Sequence, residues 1–227
     1  MPRIAIILPV LNEETEISAG LGRLQSLRRQ DCELIVVDGG SRDQTVALAE
    51  PLADRVIIGP RGRAAQMNAG AALAQSALLW FLHADSQPPP DAAGMIRAAL
   101  SDPDRHWGRF DVRLSGPHLL LRMVETLMNA RSRFTGIATG DQGIFVRREL
   151  FERVGGYPAL ALMEDIALSR LLKQHGRPIC LRQRLQTSSR RWERDGILRT
   201  ILLMWRLRLA YFLGVDPCRL ARIYYRS

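Results

Sequence analysis

The chain has 227 residues, 47% of them hydrophobic, which is enough for one large domain or two small ones with a sizeable core. Its net charge of +9 comes from 32 basic residues, all arginine except Lys173, and favours anionic partners such as nucleotide diphosphates, acidic lipid headgroups or nucleic acid. The three cysteines are widely spaced and form no CxxC pair, which argues against a disulfide framework or zinc knuckle and favours the cytoplasm. The apolar run before Asn12 is too short for a signal peptide with a cleavage site.

Strand and helix patterns alternate over the first 85 residues. A continuous apolar run predicts a buried strand at 3–10. Further strands are predicted at 33–38, 55–58 and 78–82, and helical patterns lie between the strands at 13–29, 41–50 and 62–75. Ser41 and Gln44 have the spacing of a capping box at the start of the second helix. This alternation predicts a mostly parallel α/β sheet of the nucleotide-binding type in one continuous domain.

The regular alternation of strands and helices stops after Pro88-Pro89-Pro90. The patterns that follow predict a helix at 91–100, a strand exposed on one face at 109–114, an amphipathic helix at 119–128, a strand at 143–147 and a helix at 164–175 closed by Gly176. The second part of the chain is therefore expected to be mixed rather than regularly alternating.

Acidic segments follow three of the predicted strands, at 12–14, 38–41 and 83–85. Carboxyl ends of parallel strands share one sheet edge, where open α/β folds bind ligands. Asp85 suits Mg²⁺ or Mn²⁺, and His83 could add a nitrogen ligand or contact a sugar, although a single aspartate at a strand end is more often structural. Asp38 could accept hydrogen bonds from a base or ribose, and a local cap in its own turn is an equally good interpretation.

Further charged segments have two interpretations each. Arg61-Gly62-Arg63 could hold phosphate oxygens or be an exposed turn. Glu164-Asp165 opens a helix, whose dipole stabilises negative charge, and the same carboxylates would suit a general base. Ser189-Arg190-Arg191-Trp192 could contact phosphates and sugar rings or form a surface pair over a packed tryptophan.

Taken in order, these segments resemble the family 2 inverting glycosyltransferases of the GT-A fold. The resemblance runs from about residue 3 to residue 192 and is carried by 7–14 (ILPVLNEE), 36–45 (VVDGGSRDQT), 82–85 (LHAD), 155–158 (GGYP) and Glu164-Asp165. The stretch 61–70 is similar to a compact bacterial subgroup, some members of which are assigned to arsenosugar biosynthesis.

The resemblance implies a domain organisation and a reaction. A GT-A domain at 1–192, with a nucleotide-sugar-binding half at 1–100 and an acceptor-side half at 101–192, would precede a helical C-terminal extension at 193–227. The mixed, mostly parallel sheet would be flanked by helices. The donor would be a nucleoside-diphosphate sugar, the acceptor a hydroxyl of a small molecule or lipid, and the cofactor Mn²⁺ or Mg²⁺.

The resemblance also implies roles for individual residues. Asp165 would be the general base, with Glu164 second. Asp85 would hold the metal as the last residue of a DxD motif whose first position is His83 here. The nucleotide contacts would come from Pro9, Asn12, Glu13, Asp38, Gly40, Arg63, His83 and Ala84. The acceptor or diphosphate side would be formed by Gly140, Asp141, Arg190, Arg191 and Trp192; the glutamine that precedes such an RW motif in processive relatives is missing, which argues against processivity.

The segment 197–213 is apolar except for Thr200 and three arginines, which argues against a transmembrane helix. One interpretation is a helix at an anionic membrane surface, near a lipid acceptor at the inner face of the membrane. The other, slightly favoured, is a helix packed on its own domain or on a second subunit of a homodimer.

Two other functions fit the sequence less well than glycosyl transfer. A sugar nucleotidyltransferase would need a Gly-rich loop with a following cation after the first strand, and none is there. A non-catalytic nucleic-acid or membrane-binding module would need clustered arginines with interleaved aromatics, whereas arginines occur along the whole chain and aromatics make up 6%. No nucleic-acid partner is therefore expected.

Overall fold

A computed structural model describes residues 3–226 and, of Arg226, the backbone alone. Its strands are β1 (Ile4–Val10), β2 (Cys32–Asp38), β3 (Arg55–Ile58), β4 (Leu78–Phe81), β5 (Trp107–Leu114), β6 (Phe145–Arg147) and β7 (Ile179–Thr187). Its helices are α1 (Ile17–Arg28), α2 (Thr45–Ala49), α3 (Arg63–Leu73), α4 (Ala92–Ala99), α5 (Leu119–Thr135), α6 (Arg148–Arg153), α7 (Glu164–Lys173), α8 (Arg190–Asp195), α9 (Ile197–Phe212) and α10 (Pro217–Arg226). Within the described range, no helix is both long and apolar enough to cross a bilayer.

The strands form a single seven-stranded sheet in the order β3-β2-β1-β4-β6-β5-β7. The first four strands are parallel, β6 is antiparallel to both of its neighbours, and β5 is parallel to β7. The predicted mixed, mostly parallel sheet flanked by helices is thus confirmed, as is the helical C-terminal part.

The sheet carries a hydrophobic core on each face because successive strand residues point to opposite sides. In β1, Ile4, Ile6 and Leu8 join the core that contains α1 and α4, while Ala5 and Ile7 join the core that contains α3 and α7. Burial on both faces explains why β1 and β2 read as continuous apolar runs rather than alternating ones.

The last two helices pack beside the start of α7. Leu207 of α9 and Leu220 of α10 are buried against Met163 and Ile166. A separate cluster places Ile197 and Ile201 of α9 against apolar residues of α5 and β5. The C-terminal helices therefore pack against the start of α7, and α9 also packs against α5 and β5.

Several local predictions are wrong. Ser41 does not cap α2, which begins at Thr45 without a side-chain cap; the Ser41 hydroxyl instead hydrogen-bonds to Asp38. The strand β5 is longer than predicted and mostly buried, because α5 and β7 cover it. Strand β7 and helices α6 and α8 were not predicted.

Candidate active site

A cleft of about 900 Å³ opens where β1 and β4 end and α7 begins. Residues from both halves of the chain and from the C-terminal helices line this cleft. The lining residues that the sequence predicted as site residues are Pro9, Glu13, Arg63, His83, Ala84, Asp85, Gly140, Asp141, Glu164, Asp165, Arg190, Arg191 and Trp192. Asn12, Asp38 and Gly40 do not line it.

The loops after β1 and β2 are held by their own hydrogen bonds. The buried carboxylate of Asp38 accepts bonds from the backbone N–H groups of Gly40 and Ser41, both at 2.8 Å, and from the Ser41 hydroxyl. The Ser41 Oγ in turn accepts the N–H of Asn12, whose left-handed backbone has φ 53°. These bonds match the local-cap interpretation of Asp38, and contact with a base stays a prediction.

Gln66, which was not singled out from sequence, ties the two strand ends together. Its buried side-chain amide on α3 donates to the carbonyl of Val10 at 2.8 Å and to that of Val37 at 2.7 Å. The amide therefore satisfies two carbonyls where β1 and β2 stop, just before the loops of Asn12 and Asp38. A single glutamine inside an Ala-rich helix gives no pattern from which this role could be predicted.

The Gly155-Gly156-Tyr157-Pro158 segment is fastened to α3. The Asn68 side chain donates to the carbonyl of Tyr157 at 2.8 Å and accepts its N–H at 2.9 Å. Gly156 has φ 73°, and a Cβ there would lie 2.6 Å from Asn68 Oδ1. The segment is therefore a positioning element, and it holds the loop that leads to Glu164.

His83 lies deep in the cleft beside Gly140. A Cβ on Gly140 would lie 2.5 Å from His83 Nε2, so only glycine fits against the ring. Burial and the charge of Arg63 lower the pKa of His83, against the opposing effects of Asp141 and Asp85. The imidazole is therefore neutral near pH 7 and can both donate and accept a hydrogen bond.

Asp85 is partly exposed at the end of β4. Its Oδ2 accepts the Thr187 hydroxyl at 3.3 Å and the Ser188 N–H at 3.2 Å, which ties β4 to the end of β7. Glu13 lies close enough that the Asp85 charge, after burial, raises the pKa of Glu13. Two carboxylates thus face the cleft near the ends of β1 and β4.

Asp165 and Glu164 begin α7 behind Met163, which has a left-handed backbone with φ 67°. One Asp165 oxygen accepts the N–H of Gly140 at 2.9 Å, and the other accepts that of Ile166 at 2.7 Å. Burial and the neighbouring Asp165 charge raise the pKa of Glu164 to about 7. Asp165 is therefore fixed by two backbone donors, whereas Glu164 is half protonated near neutral pH.

Asp141 faces the same centre, beside Gly140. Burial raises its pKa, while His83 opposes the shift and the Asp85 carboxylate adds to it. A cation placed next to Asp141 would stabilise its charged form, and a hydrogen-bond acceptor would stabilise its protonated form.

The Arg190-Arg191-Trp192 segment lies at the start of α8. Arg190 pairs with Glu16 at 2.5 Å, and the Arg191 guanidinium lies 3.6 Å from the centre of the Tyr224 ring. Trp192 packs against the cluster formed by α5 and β5. The side chains are packed and also line the cleft, and their contact with phosphates or sugar rings stays a prediction.

Among residues 3–226, no group of three or more His, Cys, Asp or Glu side chains is placed to hold a metal ion by itself. Mg²⁺ and Mn²⁺ take oxygen ligands, and Mg²⁺ commonly binds through one or two carboxylates together with substrate phosphates and water. The partly exposed Asp85 carboxylate fits that kind of site.

The chain belongs to glycosyl transferase family 2, whose model matches residues 5–155. It is 39% identical over 177 residues to a PGL/p-HBAD biosynthesis glycosyltransferase of Mycobacterium tuberculosis, covering 69% of this chain and 63% of the relative. It is 26% identical over 193 residues to the probable glycosyltransferase YdaM of Bacillus subtilis, covering 74% of this chain and 46% of the relative. The chain thus spans between about half and two thirds of these relatives' length.

Solved structures share the fold. A mannosyltransferase of Pyrobaculum calidifontis in complex with GDP-Man and Mn²⁺ has a TM-score of 0.69 at 24% identity, covering 92% of this chain and 61% of that one. TarS of S. aureus in complex with UDP-GlcNAc has a TM-score of 0.67 at 17% identity, covering 82% of this chain and 58% of that one. At such identities the likeness establishes the GT-A architecture alone.

Proposed function

We propose that this chain transfers a sugar from a nucleoside-diphosphate sugar to an acceptor hydroxyl, with inversion at the anomeric carbon. The observation that carries the proposal is the position of Gly140, which packs against His83 on one side and donates to Asp165 on the other. A single residue thus separates the donor-side wall, with Asp85, from the helix that begins with Glu164 and Asp165. The mannosyltransferase with GDP-Man and Mn²⁺ and TarS with UDP-GlcNAc support a nucleotide-sugar donor.

Asp165 suits the general base. Its two backbone hydrogen bonds fix the orientation of the carboxylate and leave lone pairs for the acceptor hydroxyl. As the hydroxyl oxygen bonds to the anomeric carbon, its proton passes to Asp165 and the bond to the diphosphate breaks. One direct displacement of this kind inverts the anomeric centre. Glu164, half protonated at neutral pH, is the second candidate.

The leaving diphosphate needs positive charge at the opposite wall. Arg63, at the start of α3, lines the cleft and donates to phosphate oxygens there. Asp85 would hold Mn²⁺ or Mg²⁺, which when bound stabilises the charge on the diphosphate. His83 would donate to the donor from its neutral ring. The assignment to the arsenosugar subgroup stays a prediction.

Binding and stereochemistry test the proposal separately. GDP and UDP, each with and without Mn²⁺, should be titrated into the protein by calorimetry, and we expect one of them to bind with metal dependence. Products from the matching sugar nucleotide should then show the opposite anomeric configuration by NMR. Retention of configuration would contradict inversion, and metal-independent binding would contradict the role of Asp85.

A sugar nucleotidyltransferase would use the same donor half. It would release diphosphate from a nucleoside triphosphate when a sugar phosphate is supplied, and that assay separates the two activities. No residue around the cleft favours it.

A further inference from the structure

Two arginines near the cleft have buried nitrogen atoms that make no hydrogen bond within residues 3–226. These atoms are Nε and Nη2 of Arg131 on α5 and Nε of Arg208 on α9. No carboxylate of that part lies within 4 Å of either guanidinium; their side chains are absent from its ion pairs. A buried charge without a partner is costly, so it needs an explanation.

Arg109, a buried arginine in the same region, has all its partners within the protein. It is fully buried, and it donates to Ser132 at 3.0 Å, to the carbonyl of Asn129 at 3.1 Å and to Asp111. Arg109 is thus completed by protein groups, whereas Arg131, on the same helix as Ser132, is not.

The pair lies near the proposed base. Arg208 lines the cleft. Burial is the largest cause that lowers the pKa of Arg131 to about 10, and the charge of Arg208 is the next. The Asp165 carboxylate acts on both guanidinium groups in the opposite direction. Helix α5 packs on β5, and α9 contacts α5.

The positive charge of the chain lies in the part of the sequence that contains Arg131 and Arg208. Residues 1–100 contain 9 basic and 11 acidic residues, a net charge of −2, whereas residues 101–227 contain 23 basic and 12 acidic residues, a net charge of +11. An excess of positive charge attracts anions.

We infer that Arg131 and Arg208 form a pocket for an anionic group, a phosphate or a carboxylate, carried by the acceptor substrate. This rests on the proposed function, since it names the class of acceptor. Guanidinium groups donate to such oxygens in pairs, which would fix the acceptor while its hydroxyl faces Asp165.

Anion binding tests the pocket without knowledge of the acceptor. Inorganic phosphate and malonate should be titrated separately by calorimetry into wild-type protein, Arg131→Gln, Arg208→Gln and Arg63→Gln, with Arg206→Gln, exposed on α9, as the matched control. We expect at least one anion to bind wild type, Arg63→Gln and Arg206→Gln alike, and at least tenfold more weakly to the other two variants. GDP or UDP binding should not change in Arg131→Gln or Arg208→Gln.

Three outcomes would overturn the inference. One is the absence of phosphate and malonate binding to wild type, and another is equal binding to all variants. The third is loss of anion binding in Arg63→Gln together with competition by GDP or UDP, which would assign the arginines to the donor diphosphate. Because GDP and UDP report on the donor site independently, failure of the pocket is distinguishable from failure of the proposed function. If both glutamine variants fail to fold, anion binding to wild type saturated with nucleotide decides alone.

A second inference comes from the outer face of α9. One side of this helix lines the cleft with Thr200, Met204 and Arg208, while large apolar residues, 58–76% exposed, cover the other side. They are Leu198, Leu202, Trp205, Leu209, Phe212 and Leu213. Helix α5, which contacts α9, exposes its own row of Leu119, Met123, Leu127 and Phe134. Apolar surface at this density usually has a partner.

We propose that this face of α9 docks on an anionic bilayer. Residues 197–226 contain six arginines and a single acid, Asp216, so the apolar face belongs to a segment of net charge +5. A symmetric dimer through α9 would bring that charge against itself, whereas acidic headgroups complement it. Exposed Arg199 and Arg206 lie beside the apolar row, where an interfacial helix carries its cations.

Vesicle co-sedimentation tests this. We expect wild type to pellet with vesicles of phosphatidylglycerol and phosphatidylcholine, and at least tenfold less with phosphatidylcholine alone. Trp205→Ser/Leu209→Ser should lose at least tenfold in binding, while Ile58→Ser, which removes an apolar side chain 76% exposed on β3, should not. Absence of vesicle binding would overturn the proposal, as would a wild-type dimer in sedimentation that Trp205→Ser/Leu209→Ser dissociates.

Discussion

The proposed donor side and the proposed acceptor side of the cleft differ in how their polar groups are satisfied. On the donor side, the strand-end loops are closed by internal hydrogen bonds of Asp38, Ser41 and Gln66. On the acceptor side, Glu164 has a raised pKa and Arg131 has buried N–H groups without partners. The first side is a rigid frame, whereas the second contains charges that a ligand would complete.

This difference separates positioning from chemistry. A network whose members are all satisfied resists change and holds geometry. Unpaired buried charges reduce stability, and they are typical of sites whose ligand supplies the missing partner. Substitutions in the strand-end loops of the donor side should therefore act mainly on stability and nucleotide affinity, and those of the proposed reacting groups, Asp85 included, mainly on catalysis.

The largest effect is expected from Asp165→Asn, which keeps the shape of the side chain but removes the base. We expect kcat to fall about 10⁴-fold, because a positioned base contributes up to about that factor. Nucleotide affinity should not change, and both properties can be measured by coupled assay and calorimetry. Glu164→Gln is the matched control, with a smaller expected loss; a reversed order would make Glu164 the base.

The second-largest effect is expected from Asp85→Ala, on the proposed donor side. We expect transfer to fall about 10³-fold, since the metal on the diphosphate stabilises the leaving group by several kcal/mol. Calorimetry should show that Mn²⁺ no longer strengthens nucleoside-diphosphate binding. Asp91→Ala, at the end of the same loop and outside the cleft, serves as control. Full metal dependence in Asp85→Ala would place the metal elsewhere.

The pH dependence of stability sharpens the contrast on the acceptor side. Folding raises the pKa of Glu164 from 4.5 to about 7, so the folded state holds a proton that the unfolded state releases. The stabilisation is complete below pH 4.5 and is lost as the pH rises through about 7, by on the order of 3 kcal/mol. Urea unfolding at pH 5 and pH 8 measures it. Glu164→Gln should flatten the profile; an unchanged slope would show that Glu164 is not its source.

Sequence patterns predicted the donor side well because its groups follow local rules. Strands β1, β2 and β4 are almost entirely buried, and Glu13, His83 and Asp85 follow two of them at the predicted sheet edge. Burial on both faces and the shared edge of parallel strands decide these positions, and such burial leaves a continuous apolar run in the sequence.

The acceptor side was harder to predict because its site depends on contacts between distant segments. Arg131 and Arg208 are 77 positions apart, and packing of α9 near α5 brings them together. Strand β7 was missed because β5 and α5 cover only one of its edges and exposed arginines interrupt its pattern. Gln66 was missed because its partners are two backbone carbonyls, which have no signature in sequence.

Gln66→Ala should give the smallest effect, and it tests whether the donor side is a closed frame. The change removes the Gln66 donor from the carbonyls of Val10 and Val37, although the Gly39 N–H still donates to Val10 at 2.9 Å, and each lost hydrogen bond costs about 0.5–1.5 kcal/mol. Water entering from the cleft should satisfy part of the loss, so we expect unfolding free energy to fall by about 2 kcal/mol in urea titrations. Nucleotide affinity should weaken with it, because the loops of Asn12 and Asp38 begin at these carbonyls, while kcat at saturating donor should not change.

Gln75→Ala, just beyond α3, is the control. A kcat loss without a stability loss would mean that Gln66 acts in the chemistry, and the division between frame and reacting groups would fail there.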